Sequence, residues 1–146
     1  MLCSYHGRSL QIRRPFYLQV QDKEIIDMDT FTMVRSEHLN HYGKLFGGQL
    51  LKWVDEFSWL AAKREYKKNN LVTRAMENIE FHHMVPNGAI LRFHLEKIKR
   101  GTTSLVYSVD VYSEDLAGNP EKHIFSNRVT LVAVDEHGKK TPLIGE

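Results

Sequence analysis

A carbonyl under attack needs a donor for its developing negative charge, a group that takes a proton, and something that fixes the geometry. The stretch NHYGKLFGGQLLKWVDE, residues 40–56, holds candidates for all three. Gly43, Gly47 and Gly48 let a loop approach closely and then turn into a helix, whose first backbone N–H groups find no partners inside the helix. Those donors, with the positive end of the helix dipole, suit an oxyanion. The same glycines also fit a tight turn with close packing. They do not make a nucleotide P-loop, because no Gly-Lys-Ser/Thr closes the run.

Asp55 falls on a helical wheel at the border of the apolar face, beside Leu51 and Ala62, while Glu56 points to solvent. A carboxylate at such a rim is either paired structurally or kept for proton transfer. Asn40 alone is an ordinary turn or cap residue. Taken with Asp55 it offers an amide to orient water or carbonyl beside a carboxylate that accepts a proton. Asp55 lies two helical turns, about 10 Å, from the start of the helix, so one chain brings the three together awkwardly and a second subunit does so more easily.

Other chemistry is weaker. Eight histidines invite a metal reading, but His82 and His83 are adjacent on an expected strand and so point to opposite faces, and there is no HExxH or Cys/His quartet. No serine, nor the single Cys3, sits in a GxSxG elbow. Lys97, Lys99 and Arg100 flank a turn, where they either meet phosphates or form a solvated surface.

The elements that must position these groups follow from periodicity. Asp27 to Val34 alternates as a first strand, and SEHLNHYGKLFGG reads as a loop. From Gly48 to about Lys67 the pattern is helical, with Leu50, Leu51, Val54, Phe57, Ser58, Leu60, Ala61 and Ala62 on one broad face and Lys52, Glu56 and Lys63 opposite. Four strand-like runs follow: LVTRAMENIEFHHM, AILRFHLEKIK, TTSLVYSVDVYSED and HIFSNRVTLVAVDE. Turn signals at Pro86-Asn87-Gly88, Arg100-Gly101 and Ala117-Gly118-Asn119-Pro120 separate them, which implies antiparallel neighbours. The layout is α+β, one long helix against a sheet of about five strands. One helix covers only one face, and TLVAV is nearly unbroken, so apolar surface on the last two strands points to self-association.

The 146 residues, 42% hydrophobic, suffice for one domain, taken as 27–146 after an N-terminal arm at 1–26. A formal charge of +2 from 20 basic and 18 acidic residues gives no bulk attraction to nucleic acid. One cysteine excludes an internal disulfide and fits a reducing, cytoplasmic setting. No secretory signal and no membrane-spanning run is expected.

The string NHYGKLFGG, with Asp55 seven residues on, resembles the signature of hotdog-fold acyl-CoA thioesterases of the cytosolic acyl-CoA hydrolase type. VTRAMENIEF, a turn at Gly88, GTTS at 101–104 and the terminal VTLVAVDEHGKKTP agree in order and spacing over about residues 28–142. The resemblance implies a hotdog fold, a central helix wrapped by an antiparallel sheet, and thioester sites formed between paired subunits. It implies hydrolysis of fatty acyl-CoA to free acid and CoA, with Asp55 as general base or nucleophile and Asn40 its partner from the opposite subunit. Amides near Gly47 and Gly48 become the oxyanion donors, and the segment Gly101, Thr102, Thr103, Ser104, preceded by Lys99 and Arg100, lies along the CoA arm. Neither a metal nor another cofactor is implied, and the expected assembly is a homodimer or a trimer of such dimers. Met84 stands where relatives carry proline, Pro86 comes two residues later, and Ala89 replaces an often acidic residue, which leaves the acyl preference open. The rival reading is a non-catalytic acyl-CoA sensor of the same fold, which would not need the Asn40/Asp55 pair. A hotdog dehydratase would need a catalytic histidine, and His41 is unsuitably spaced.

Overall fold

Strand alternation and helical periodicity both resolve into the expected layers. The computed structural model describes residues 27–114 and 117–145. The proposed arm at 1–26 lies outside the described residues. Five strands, β1 (Asp27–Met33), β2 (Asn70–Phe81), β3 (Ile90–Arg100), β4 (Ser104–Glu114) and β5 (Lys122–Val134), form one antiparallel sheet in the order β1-β3-β4-β5-β2. Among the described residues a single α-helix, α1 (Gly47–Glu65), follows a short 3₁₀ turn at Ser36–His38 and lies across the sheet.

The core forms where the alternate residues of the central strands meet the apolar stripe of α1. Leu91, Phe93 and Leu95 of β3, Leu105, Tyr107, Val109 and Val111 of β4, and Phe125, Val129 and Leu131 of β5 are wholly buried. Phe93 takes the edges of Trp53 and Phe57 from the helix, at ring distances of 6.3 and 4.9 Å. Each such side chain contributes about 1.5–3 kcal/mol by leaving water.

Two readings of the helix and one of the sheet need correction. Trp53 is buried, at 8% exposure, while Leu60, expected on the apolar face, is 41% exposed. With 100° per residue the buried arc reaches Trp53 at one edge, and Leu60 falls about 20° beyond it. The apolar run TLVAV is not exposed: β5 sits between β4 and β2, and Leu131 to Ala133 are buried. The C-terminal segment folds back on it, through Thr141 N–H to the Ala133 carbonyl at 3.0 Å. Among the described residues the sheet's two edges are β1 and β2, and β2, paired there with β5 alone, exposes Val72, Ile79 and Phe81.

Candidate functional site

The loop before α1 is built around Asn40. Its Oδ1 accepts from the backbone N–H of Tyr42 at 3.0 Å and of Lys44 at 3.2 Å. Its own N–H donates to the Lys44 carbonyl at 2.7 Å, and Gly43, at φ +71°, allows the tight return. Asn40 is therefore the turn former its residue type suggests, and the amide Nδ2 is the end left to donate. The chain then enters α1 from an extended Phe46 with no side-chain cap. Gln49 and Leu50 donate back to the Phe46 carbonyl, whereas the N–H groups of Gly47 and Gly48 have no partner among the described residues. Two free, parallel donors at a helix start are what an oxyanion requires.

These donors stand beside a cleft of about 220 Å³ lined by Leu45, Gly47, Leu50, Phe81, His82, His83, Met84 and Val85. The edge of the Phe81 ring lies 3.4 Å from where a Cβ on Gly47 would stand, so a larger residue there would press on the ring. His82 and His83 are not on a strand. β2 ends at Phe81, and both histidines line this one cleft rather than opposite faces of a sheet. His82 is engaged with the sheet, its ring 5.0 Å from that of His123 and its backbone N–H donating to the Ile124 carbonyl. Among the described residues there is no group of three or more His, Cys, Asp or Glu arranged to hold a metal, and no helix is long and apolar enough to cross a membrane.

Asp55 is half-buried two turns along α1, and the Thr73 hydroxyl donates to its Oδ1 at 2.5 Å. Thr73 precedes a bulge at Arg74 in β2, which turns its side chain toward the helix. Sequence reasoning did not single out Thr73. A threonine in a strand is too ordinary to stand out, and only the packing of α1 on β2 reveals its partner. The eight residues from Gly47 to Asp55 span about 12 Å of helix, so within one chain the free donors and the carboxylate do not meet.

The 101–104 turn lies away from Gly47, beyond the C-terminal end of α1. Gly101 N–H donates to the Ser104 carbonyl, the Thr102 carbonyl accepts from Leu143, and the Thr103 carbonyl accepts from Ala133. Arg100 sits over the Tyr66 ring at 5.5 Å, with Lys97 at 5.7 Å. Lys97 also holds both carboxylate oxygens of Glu65, at 2.5 and 2.7 Å. Burial pushes the Tyr66 hydroxyl above its ordinary pKa, and the neighbouring Glu65 carboxylate adds to the shift. Asn69, 3% exposed, closes this end: its Nδ2 donates to the Pro142 carbonyl and its Oδ1 accepts from Ile144 N–H.

Residues 42–118 match the thioesterase superfamily. The chain is 30% identical over 115 residues to the acyl-CoA thioester hydrolase YciA of Salmonella typhimurium, covering 77% of this chain and 86% of that one. It is 32% identical over 102 residues to acyl-coenzyme A thioesterase 11 of Mus musculus, covering 70% of this chain but spanning only 17% of the mouse protein's length. A solved apo-hexameric acyl-CoA thioesterase superposes with a TM-score of 0.74 at 28% identity, over 82% of this chain and 76% of that one. The five-stranded antiparallel sheet with its one long helix is the hotdog fold.

Proposed function

The chain belongs to the thioesterase superfamily, and on that premise we propose that it hydrolyses acyl-CoA thioesters to free acid and CoA in a site built by two copies of the chain. The carrying observation is the split itself: free Gly47 and Gly48 donors at one end of α1, and an Asp55 carboxylate anchored to Thr73 about 12 Å further along. β2 supplies the means to close the gap. It is a twelve-residue edge strand, open on one side and apolar in part, and such an edge favours pairing. Two β2 edges pairing antiparallel about an axis near Glu77 set Thr73 of one copy opposite Phe81 of the other. Asp55 then faces the other copy's helix start and its Asn40, and symmetry makes two such sites.

In that arrangement the thioester carbonyl oxygen accepts from Gly47 and Gly48, and Asp55 of the other copy either takes a proton from the attacking water or attacks the carbonyl carbon itself. The Asn40 Nδ2 orients the water or the carbonyl. Leu105 is opposite Leu131, which is opposite Thr73, so the 101–104 turn lies two strands, roughly 10 Å, from the Asp55 half-site. Lys99 and Arg100 beside it suit the CoA phosphates. A homodimer is the proposed unit, with three assembling as in the hexameric relative, in a cytoplasmic setting.

Mixing two dead variants tests the shared site. Asn40→Ala and Asp55→Ala proteins are each expected to be nearly inactive. Unfolded together and refolded, about half the dimers become mixed, and each mixed dimer holds one site with both changes and one with neither. Activity then recovers to about a quarter of wild type. No recovery, with mixed dimers confirmed by native mass spectrometry, returns both residues to one subunit.

A further inference from the structure

The cleft beside Gly47 is small, and two features bound it on the β2 side. The first is Phe81, whose ring stands against Gly47 on one side and meets the Phe125 ring at 5.1 Å on the other. The second lies behind it. Along the face of the sheet that α1 covers, the row after Phe81/Phe125 carries Asn127 from β5, opposite the bulge of Asn78 and Ile79 in β2. Asn127 is 3% exposed, and neither its Oδ1 nor its Nδ2 has a partner among the described residues. An apolar chain entering from the helix start and passing Phe81 would next meet a buried amide with unmet hydrogen bonds. Such a group is a poor neighbour for methylene.

We infer that Phe81 and Asn127 act in series as the acyl-length limit of this site, and that its substrates are short- to medium-chain acyl-CoAs. This rests on the thioesterase reading above and adds which acyl groups that site accepts. The cleft, at about 220 Å³, is smaller than the roughly 300–1,000 Å³ of a site that holds a whole drug-sized ligand. At roughly 30 Å³ per carbon, close to the share of one water molecule, it takes on the order of six to eight carbons. Leu45, Leu50 and Val85 line it with the apolar surface that such a chain would bury. Each methylene moved out of water raises kcat/KM by about fourfold, so the gain ends where the chain meets Phe81.

The test is kcat/KM, read by thiol release, for butyryl-, hexanoyl-, octanoyl-, decanoyl- and dodecanoyl-CoA. Wild type is expected to climb by about fourfold per methylene and stop near six to eight carbons. Phe81→Ala moves the stop outward, raising the decanoyl-to-hexanoyl ratio by at least about tenfold, and the milder Phe81→Leu moves it less. Asn127→Leu alone leaves the ratio near wild type because Phe81 stands in front, but added to Phe81→Ala it raises the ratio beyond the single change. A wild-type profile that keeps climbing to dodecanoyl-CoA overturns the inference. So does an unchanged ratio in Phe81→Ala and Phe81→Leu proteins shown to be folded by circular dichroism. A wild type that hydrolyses none of the five overturns the thioesterase reading instead.

Discussion

The two ends of α1 are built from similar material and put to opposite use. At its start Gly47 and Gly48 keep free N–H groups, no side chain caps the turn, and Tyr42, Phe46, Phe81 and Met84 leave much of their apolar surface exposed. At its end Tyr66 is wholly buried and its backbone N–H donates to the Ala62 carbonyl, though its hydroxyl has no hydrogen-bond partner among the described residues. Lys63 donates to the carbonyls of Lys67 and Asn69, and the Asn69 amide ties down the C-terminal segment. One end holds the chain together, and the other is kept unsatisfied for something that arrives. Free backbone donors beside exposed rings are costly in a resting fold, so their meeting at the helix start marks where binding restores the balance.

The largest effect should come from the group that, in the proposed dimer, completes the open end from the other copy. Asp55→Asn keeps an oxygen to accept from Thr73 but no longer takes a proton, so kcat is expected to fall by about 10²–10⁴-fold with little change in Tm. A folded Asp55→Asn protein that retains most of its kcat would make the open end a binding surface without catalysis. At the closed end the balance reverses. Asn69→Ala leaves the Pro142 carbonyl and the Ile144 N–H without their partner, at about 2 kcal/mol of stability by urea unfolding. Activity per folded molecule should change far less. If kcat falls as steeply as stability, the two ends are not separable in function.

The smallest effect concerns the turn beside the closed end. Lys99→Ala with Arg100→Ala is expected to raise KM for acyl-CoA by about tenfold while leaving kcat near wild type, because contacts to remote phosphates bind ground and transition states alike. An acyl-pantetheine thioester lacks the nucleotide phosphates and should show no such shift. An equal shift for both substrates would confine Lys99 and Arg100 to packing. Arg100 over the Tyr66 ring is a structural contact that such a result would leave standing.

Much of this was legible in the chain. Strand alternation and turn residues located all five strands to within a few positions, because a sheet buried on one face writes its period into the sequence. The loop and helix of residues 40–56 stood out because glycines before an apolar stripe are informative. Three things were hidden. The sheet order puts β5 inside the sheet and β2 at one edge, and order depends on which long-range pairs form rather than on any local run. His82 and His83 left the expected strand because β2 stops at Phe81, and a strand end is the least determined part of a periodic pattern. Asn127 is one polar residue among several in SNRVT, and only its burial without hydrogen-bond partners makes it unusual.

The order β1-β3-β4-β5-β2 also sets a timetable for synthesis. β2 leaves the ribosome about forty residues before β5, its one neighbour in the sheet among the described residues, begins. At about 5–20 residues per second the nascent chain carries an unpaired β2 for roughly two to eight seconds, while β3 and β4 are still being made. During that window the edge of β2 that β5 will cover is open, and Val72, Ile79 and Phe81 lie along a strand still without β5. Slower translation lengthens the window, and crowded polysomes fill it with identical strands. The newborn chain therefore runs its greatest risk of wrong association on the same strand that its mature dimer would use to associate correctly.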